Sequence, residues 1–324
     1  MKRILHILFL LAAVVCGCTN VEKRDVTVHE CAAMPSGRAS VCACVCEGKA
    51  YIFGGRDQKG AYLNDLWEYD PVTDTWKDLG ASPMKARVNA TMSSCNGKIY
   101  AGLGYSALRA YNDSAYQKDW WEYTVETGQW KRLSDYPNLY TNACTSFHLG
   151  DKIYTLYGFS HGFSQYVCCY DIPSDRWTVL PDNHSRAYSH TGGRGALLDG
   201  IFYYGGGYRT TNMNDWFAIE ITNDQWTRRC SFPGKGREFG ACAASKEHIY
   251  YFGGRHFAGD MTGGEIFDTF MRYSPDQDRW EWCGTMPCGR AENLIAFTIG
   301  GKPYFGLGEN EKGEIINQLY RIEE

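Results

Sequence analysis

The stretch Tyr51–Trp76, YIFGGRDQKGAYLNDLWEYDPVTDTW, decides the fold. An apolar run ends on two glycines, a polar loop follows, and a Tyr and a Trp then stand seven residues apart around the turn formers DPVTDT. The first part reads as a strand and the second as a strand hairpin. The pattern recurs. Tyr123/Trp130, Tyr170/Trp177 and Tyr273/Trp280 repeat the spacing, and Ile219/Trp226 is a copy lacking the Tyr. Each copy follows a glycine-ended run, IYAGLG, IYTLYG, IFYYGG or IYYFGG, and a last run, PYFGLG, opens a sixth unit. The units are about 50 residues long, and each has a further strand upstream, such as RASVCACVCEGK or REFGACAASKEH.

Four strands per unit at this period predict an all-β, six-bladed β-propeller with four antiparallel strands per blade. Glycine can take positive φ and let a neighbour approach closely, while the aromatics fill the wedges between blades. The sixth unit stops at QLYRIEE with no Trp. Near the other end, VTVHECAAMP matches WKDLGASP in its Pro and in an apolar residue four before it, Cys31 against Leu79. Residues 26–34 are therefore expected to supply the outermost strand of the last blade, with Val28 in the place of Trp76, removing an open edge. These marks resemble the kelch repeat, whose signature is a double glycine followed by a spaced Tyr and Trp. The resemblance covers residues 26–324, with departures at GLG in blades two and six and at Ile219.

The chain of 324 residues is 44% apolar and 22% charged, a globular composition, and 15% aromatics with 36 glycines suit short strands and tight turns. A net charge of −4 without basic runs gives no footprint for nucleic acid. MKRILHILFLLAAVVCGC reads as an export signal, residues 1–18. Its end resembles a bacterial lipobox, which implies acylation of Cys18, a polar tether over 19–25, and a propeller over 26–324 held at the cell envelope, as an outer-membrane lipoprotein facing the periplasm or the exterior, by acyl chains alone.

From each Trp to the next second strand the spacing is 22 or 23 residues, whereas from the glycines to the Tyr position it is 19 in blades two and five and 12 to 14 elsewhere. Variation is thus concentrated in the loop between strands two and three, which shares a face with the entry to strand one; binding groups gather on such loops. Arg56 and Arg255 follow the glycines, and Arg38, Arg87, Arg237 and Arg290 precede the innermost strands, so all six are expected at one end of the channel. There they would either form an anion site, each guanidinium offering a fork of donors, or lace one blade to the next through carboxylates such as Glu238, Glu292 and Glu309. Tyr105, Tyr111, Tyr116, Tyr208 and Phe257 suit sugar stacking or protein contact on the same face, with His161, His190 and His256 nearby.

The kelch resemblance implies several functions. Kelch adaptors of ubiquitin ligases bind acidic peptides through arginines at similar places. Galactose oxidase carries copper on such a propeller, but the histidines here form no paired motif. Sialic acid mutarotases are six-bladed and use arginine and glutamate, which makes Glu238, Glu265 and Glu309 candidates by position. In CACVC the three cysteines alternate on one strand face, which suits packing better than zinc. The twelve cysteines beyond the signal are expected mainly as small core residues, and Cys168 and Cys169 point to opposite faces. No metal or cofactor is expected. The expected function is a binding module for a carbohydrate, an acidic small molecule or an envelope protein, with a sugar-acid mutarotase and a protein scaffold as alternatives. Its ligand residues would be Arg38, Arg56, Arg87, Arg237, Arg255, Arg290, Tyr105, Tyr208, His256 and Glu309.

Overall fold

The computed structural model describes residues 22–106, 113–137, 141–159, 164, 166–181, 190–258 and 263–324. Six four-stranded antiparallel sheets follow one another around a central channel. Blade one contains Cys42–Cys46, Lys49–Phe53, Asp65–Asp70 and Thr75–Ala81, and blade two Thr91–Cys95, Lys98–Gly102, Trp120–Thr124 and Gln129–Arg132. Blades three, four and five begin at Thr145–Leu149, Arg194–Leu198 and Ala241–Ala244. Blade six holds Ile295–Ile299, Lys302–Gly306 and Leu319–Glu323, and Thr27–Cys31 from the other end of the chain completes it. The only helical turns among the described residues are Asp113–Ala115 and Ile221–Asn223, so no described helix is long and apolar enough to cross a membrane.

The closure follows the register expected from the sequence. Val28 pairs with Ile322 as Trp76 pairs with Tyr69, so Val28 stands in the Trp place and Ile322 in that of the Tyr. Residues 22–24, part of the expected tether, lie alongside the outer strand of blade five instead. Trp282 N donates to Glu22 O at 3.0 Å and Arg24 N to Trp282 O at 2.7 Å, in a parallel bridge. The N-terminal segment thus holds the outer edges of both blades five and six.

Each Tyr/Trp pair is a cross-strand pair with rings about 5 Å apart, and in blades one, three and five it does more than fill a wedge. In blade one Tyr69 Oη donates to Asp74 Oδ1, and that oxygen also accepts the N–H of Ala32, at 2.7 and 2.8 Å. Trp76 Nε1 donates to the carbonyl of the same Ala32 at 2.8 Å. Both backbone groups of one residue in the preceding blade are held. Tyr170, Asp175 and Trp177 grip Ser134 in this way, and Tyr273, Asp278 and Trp280 grip Cys230. This satisfies backbone that would otherwise be stranded between blades.

The double glycine has a direct reason. Gly55 takes φ +90°, its N–H donates to Arg87 O of the next blade, and a Cβ there would meet Ala39 O at 2.6 Å. At the first glycine position blades two, three and six place Leu103, Tyr157 and Leu307, which adopt the same left-handed backbone with φ of 58°, 55° and 52°. All twelve cysteines among the described residues are free thiols. Cys42, Cys44 and Cys46 share one buried cluster between blades one and two, while Cys168 and Cys169 fall in different clusters. Burial pushes the Cys42 and Cys144 thiols up to about 12, which keeps them protonated and unreactive.

Candidate functional site

The channel opens through a ring built from one short segment per blade. Just before each innermost strand one residue takes a left-handed backbone: Ser40, Asn89, Ala143, Gly192, Phe239 and Asn293. They hydrogen-bond to one another around the mouth. Asn89 N donates to Ser40 O, Ser40 N to Asn293 O, Asn293 N to Phe239 O, Phe239 N to Gly192 O and Ala143 N to Asn89 O, at 2.7 to 3.4 Å. The preceding residue in each blade bridges the residue after the glycines, giving the pairs Ala39/Arg56, Val88/Tyr105, Asn142/Phe159, Thr191/Tyr208, Glu238/Arg255 and Glu292/Glu309. A rigid backbone collar therefore presents six variable side chains.

Their order divides the mouth in two. Blades two, three and four contribute Tyr105, Phe159 and Tyr208; blades five, six and one contribute Arg255, Glu309 and Arg56. Tyr105 packs edge-on against Tyr116 at 5.0 Å, and Tyr208 lies 6.4 Å from Phe257. On the charged side Arg56 is salt-bridged to Glu309, whose other oxygen accepts from Asn293 Nδ2 at 2.8 Å, and Arg255 grips Glu292 with two bonds. Side-chain amides tie neighbouring loops together: Asn212 exchanges two bonds with the backbone of Phe257, and Gln58 does so with Gly313 and Ile315.

The arginines expected to converge on the opening separate into two sets. Arg56 and Arg255 are at the mouth, each already facing a carboxylate of the following or preceding blade. Arg38, Arg87 and Arg237 are buried in the wall. Arg38 forms a two-pronged pair with Asp65 at 2.7 and 2.9 Å and also donates to Gly54 O; Arg87 repeats this with Asp119 and Leu103 O. Burial opposes charge on Asp65 and Asp119, yet the guanidinium beside each holds the carboxyl below its ordinary value. In blade five Thr269 stands where Asp65 would be, and Arg237 lies over the Phe267 ring at 3.7 Å; burial lowers it to about 10. These three lace the scaffold, each guanidinium held in the wall by a backbone carbonyl together with Asp65, Asp119 or Thr269. Arg290 lies on the outer loop of blade five, donating to Ile266 O, and Glu265 is there too, paired with Lys235. His256 sits beside the mouth with Nδ1 2.7 Å from Gly236 O. Tyr111, His161 and Cys18 lie outside the described residues.

Arg194 escapes a reading keyed to the glycines and tryptophans, and the full burial of Glu238 and His190, both named from their positions, could not be read from spacing. Glu238 is wholly buried against Gly192, and neither carboxylate oxygen has a hydrogen-bond partner. Burial pushes its carboxyl up to about 8 against the opposing pull of the nearby Arg194. Arg194 occupies the place held by Cys42, Thr91, Thr145, Ala241 and Ile295 in the other blades, below the collar. It is the one charged side chain among the described residues lining the 150 Å³ cavity there, and it donates to Gly240 O and Gly193 O. Aligning the first strands would have exposed it. His190, in the place of Arg38, is buried against Tyr204, and burial lowers it to about 4. The described residues contain no cluster of three or more side chains able to hold a metal ion.

Residues 14–192 match the family described as the KLHDC2/KLHL20/DRC7 Kelch-repeats domain. The chain belongs to the kelch-repeat family. Among curated kelch relatives it is 24% identical over 291 residues to Kelch-like protein 25 of Xenopus tropicalis, covering 87% of this chain and 47% of that one. It therefore spans about half that relative's length. It is 38% identical over 77 residues to N-acetylneuraminate epimerase of Pasteurella multocida (strain Pm70), 22% of this chain and 20% of that one. Among solved structures, that of YjhT superposes with a TM-score of 0.75 at 14% identity, covering 91% of this chain and 99% of the other.

Proposed function

We propose that the mouth binds a carbohydrate. The observation that carries this reading is the division of the ring into an aromatic arc, Tyr105, Phe159 and Tyr208, facing a charged arc, Arg255, Glu309 and Arg56. A sugar ring has an apolar face that packs on aromatics and a hydroxyl edge that both donates and accepts, and paired Arg and Glu offer both functions at once. Because each mouth arginine already faces a glutamate, a neutral saccharide fits with less disruption than an anion that would have to displace those carboxylates. The likeness to N-acetylneuraminate epimerases supports a sugar ligand. A thermal-shift panel of neutral saccharides tests this: stabilisation by at least one is expected, and a flat response would favour a protein partner instead.

A second reading, an anomer-interconverting or epimerising enzyme, is favoured by Glu238. A buried carboxyl with its pKa near 8 beside the mouth can exchange a proton near neutral pH, and Arg194 and Arg255 would steady developing negative charge. Catalytic acceleration of anomer exchange that disappears in Glu238→Gln, with binding retained, distinguishes enzyme from binding module. The proposal places the propeller at a bacterial envelope through acylation of Cys18. Labelling with a fatty-acid probe that is lost in Cys18→Ser tests that part on its own.

A further inference from the structure

The internal repeat shows where blade two has departed from its siblings. At the residue just before the Asp65 position, blades one, four and six carry Asn64, Asn214 and Asn317, each donating its amide to the segment that leaves the blade. Blade two has Lys118. Opposite Trp67 in blade one stands Asp78, whereas opposite the matching Trp121 stands Arg132. Trp67 is buried, while Trp121 is half-buried and forms one wall of a 620 Å³ pocket on the outer part of the same face. That volume falls in the range of small-molecule sites.

The charges in the pocket do not balance. Lys85, Lys118 and Arg132 line it with Asp119 and Asp135. Asp119 is taken up by the buried Arg87 and by Trp121 Nε1, at 2.9 Å. Asp135 alone remains to face three cations, bonded to Arg132 and 3.8 Å from Lys118. Arg132 lies over the Trp121 ring at 5.2 Å, which holds its planar fork in place. A structural lacing role would give each cation a carboxylate of its own, as Arg38 has Asp65, whereas Arg132 and Lys118 share one.

From this we infer a second ligand site on the perimeter of blade two, separate from the mouth and independent of the carbohydrate reading there. It takes a ring-sized organic anion, a sugar acid or a sugar phosphate, whose acidic group meets Arg132 and the two lysines while its ring lies along the Trp121 wall.

Glucuronate, glucose 6-phosphate and glucose are the probes, titrated calorimetrically into the full protein with Trp fluorescence followed in parallel. At least one acidic probe is expected to bind, with affinity falling as salt rises, and to outbind glucose by about tenfold or more. Carboxylate and phosphate arms separate the two ligand sources. Lys118→Asn combined with Arg132→Asp installs the residues of blade one, so an unchanged melting temperature is expected together with loss of the acidic ligand. The fluorescence response should vanish in Trp121→Phe. Equal binding of glucose, no binding of either acidic probe, or acidic binding that survives the double variant would each overturn the site and leave the mouth reading standing.

Discussion

Arg56 and Glu309, 253 positions apart in the chain, are salt-bridged across the seam between blade one and blade six. The two ends of the molecule therefore meet at the mouth as well as at its outer edge. Both side chains are only partly exposed, so the pair is worth more than a solvated surface bridge. A double-mutant cycle with Arg56→Ala and Glu309→Ala is expected to give a coupling of about 1–2 kcal/mol by denaturant unfolding.

The wall arginines should respond in opposite ways. Arg38→Met leaves the Asp65 carboxylate without its partner and should destabilise by about 3–5 kcal/mol. Arg237→Met leaves no carboxylate behind, and its effect should stay within about 1 kcal/mol of zero or stabilise. Urea unfolding of the two variants checks the contrast; equal losses would refute the assignment of separate partners.

Glu238 makes a signed pH prediction. Its folded pKa near 8 lies above its unfolded value, so the unfolded chain ionises first as pH rises. Its contribution to stability is therefore intact at pH 4 and is lost progressively between about pH 4.5 and 8. Glu238→Gln should match the parent at pH 4 and exceed it by about 2–4 kcal/mol at pH 8. A gain that does not grow with pH would mean the carboxyl is solvated or paired.

The closing strand should be indispensable. Val28→Asp places a charge against Ile322 and the cluster of Phe305 and Tyr320, and it should lower the melting temperature by about 5 °C or more. Removal of residues 22–31 should lower it further, since the outer edges of blades five and six both lose a partner.

The six-fold count, the strand order and the closure were legible because glycine-ended runs recur in every copy and Tyr and Trp at fixed spacing in most, both set by contacts between neighbouring strands and blades. Asp74 was visible only as a turn former, since its grip on Ala32 depends on a residue 42 positions away. The face on which Arg38 and Arg56 lie could be read from spacing. Which of them turns into the wall could not, because that depends on Asp65 arriving from the third strand. Arg194 departs from a position that carries no repeat signature, and Lys118 from one where only blades one, four and six share an Asn, so a strand-by-strand comparison is needed to bring them out.

The most direct test of the mouth is calorimetric titration of a neutral saccharide, selected by thermal shift, into the parent protein and into the Tyr105→Ala, Tyr208→Ala double variant. The aromatic arc predicts binding by the parent and a loss of about tenfold or more in the variant, with Arg255→Ala weakening it from the other side. Undiminished binding by the double variant, or no saccharide bound by the parent, would contradict the account.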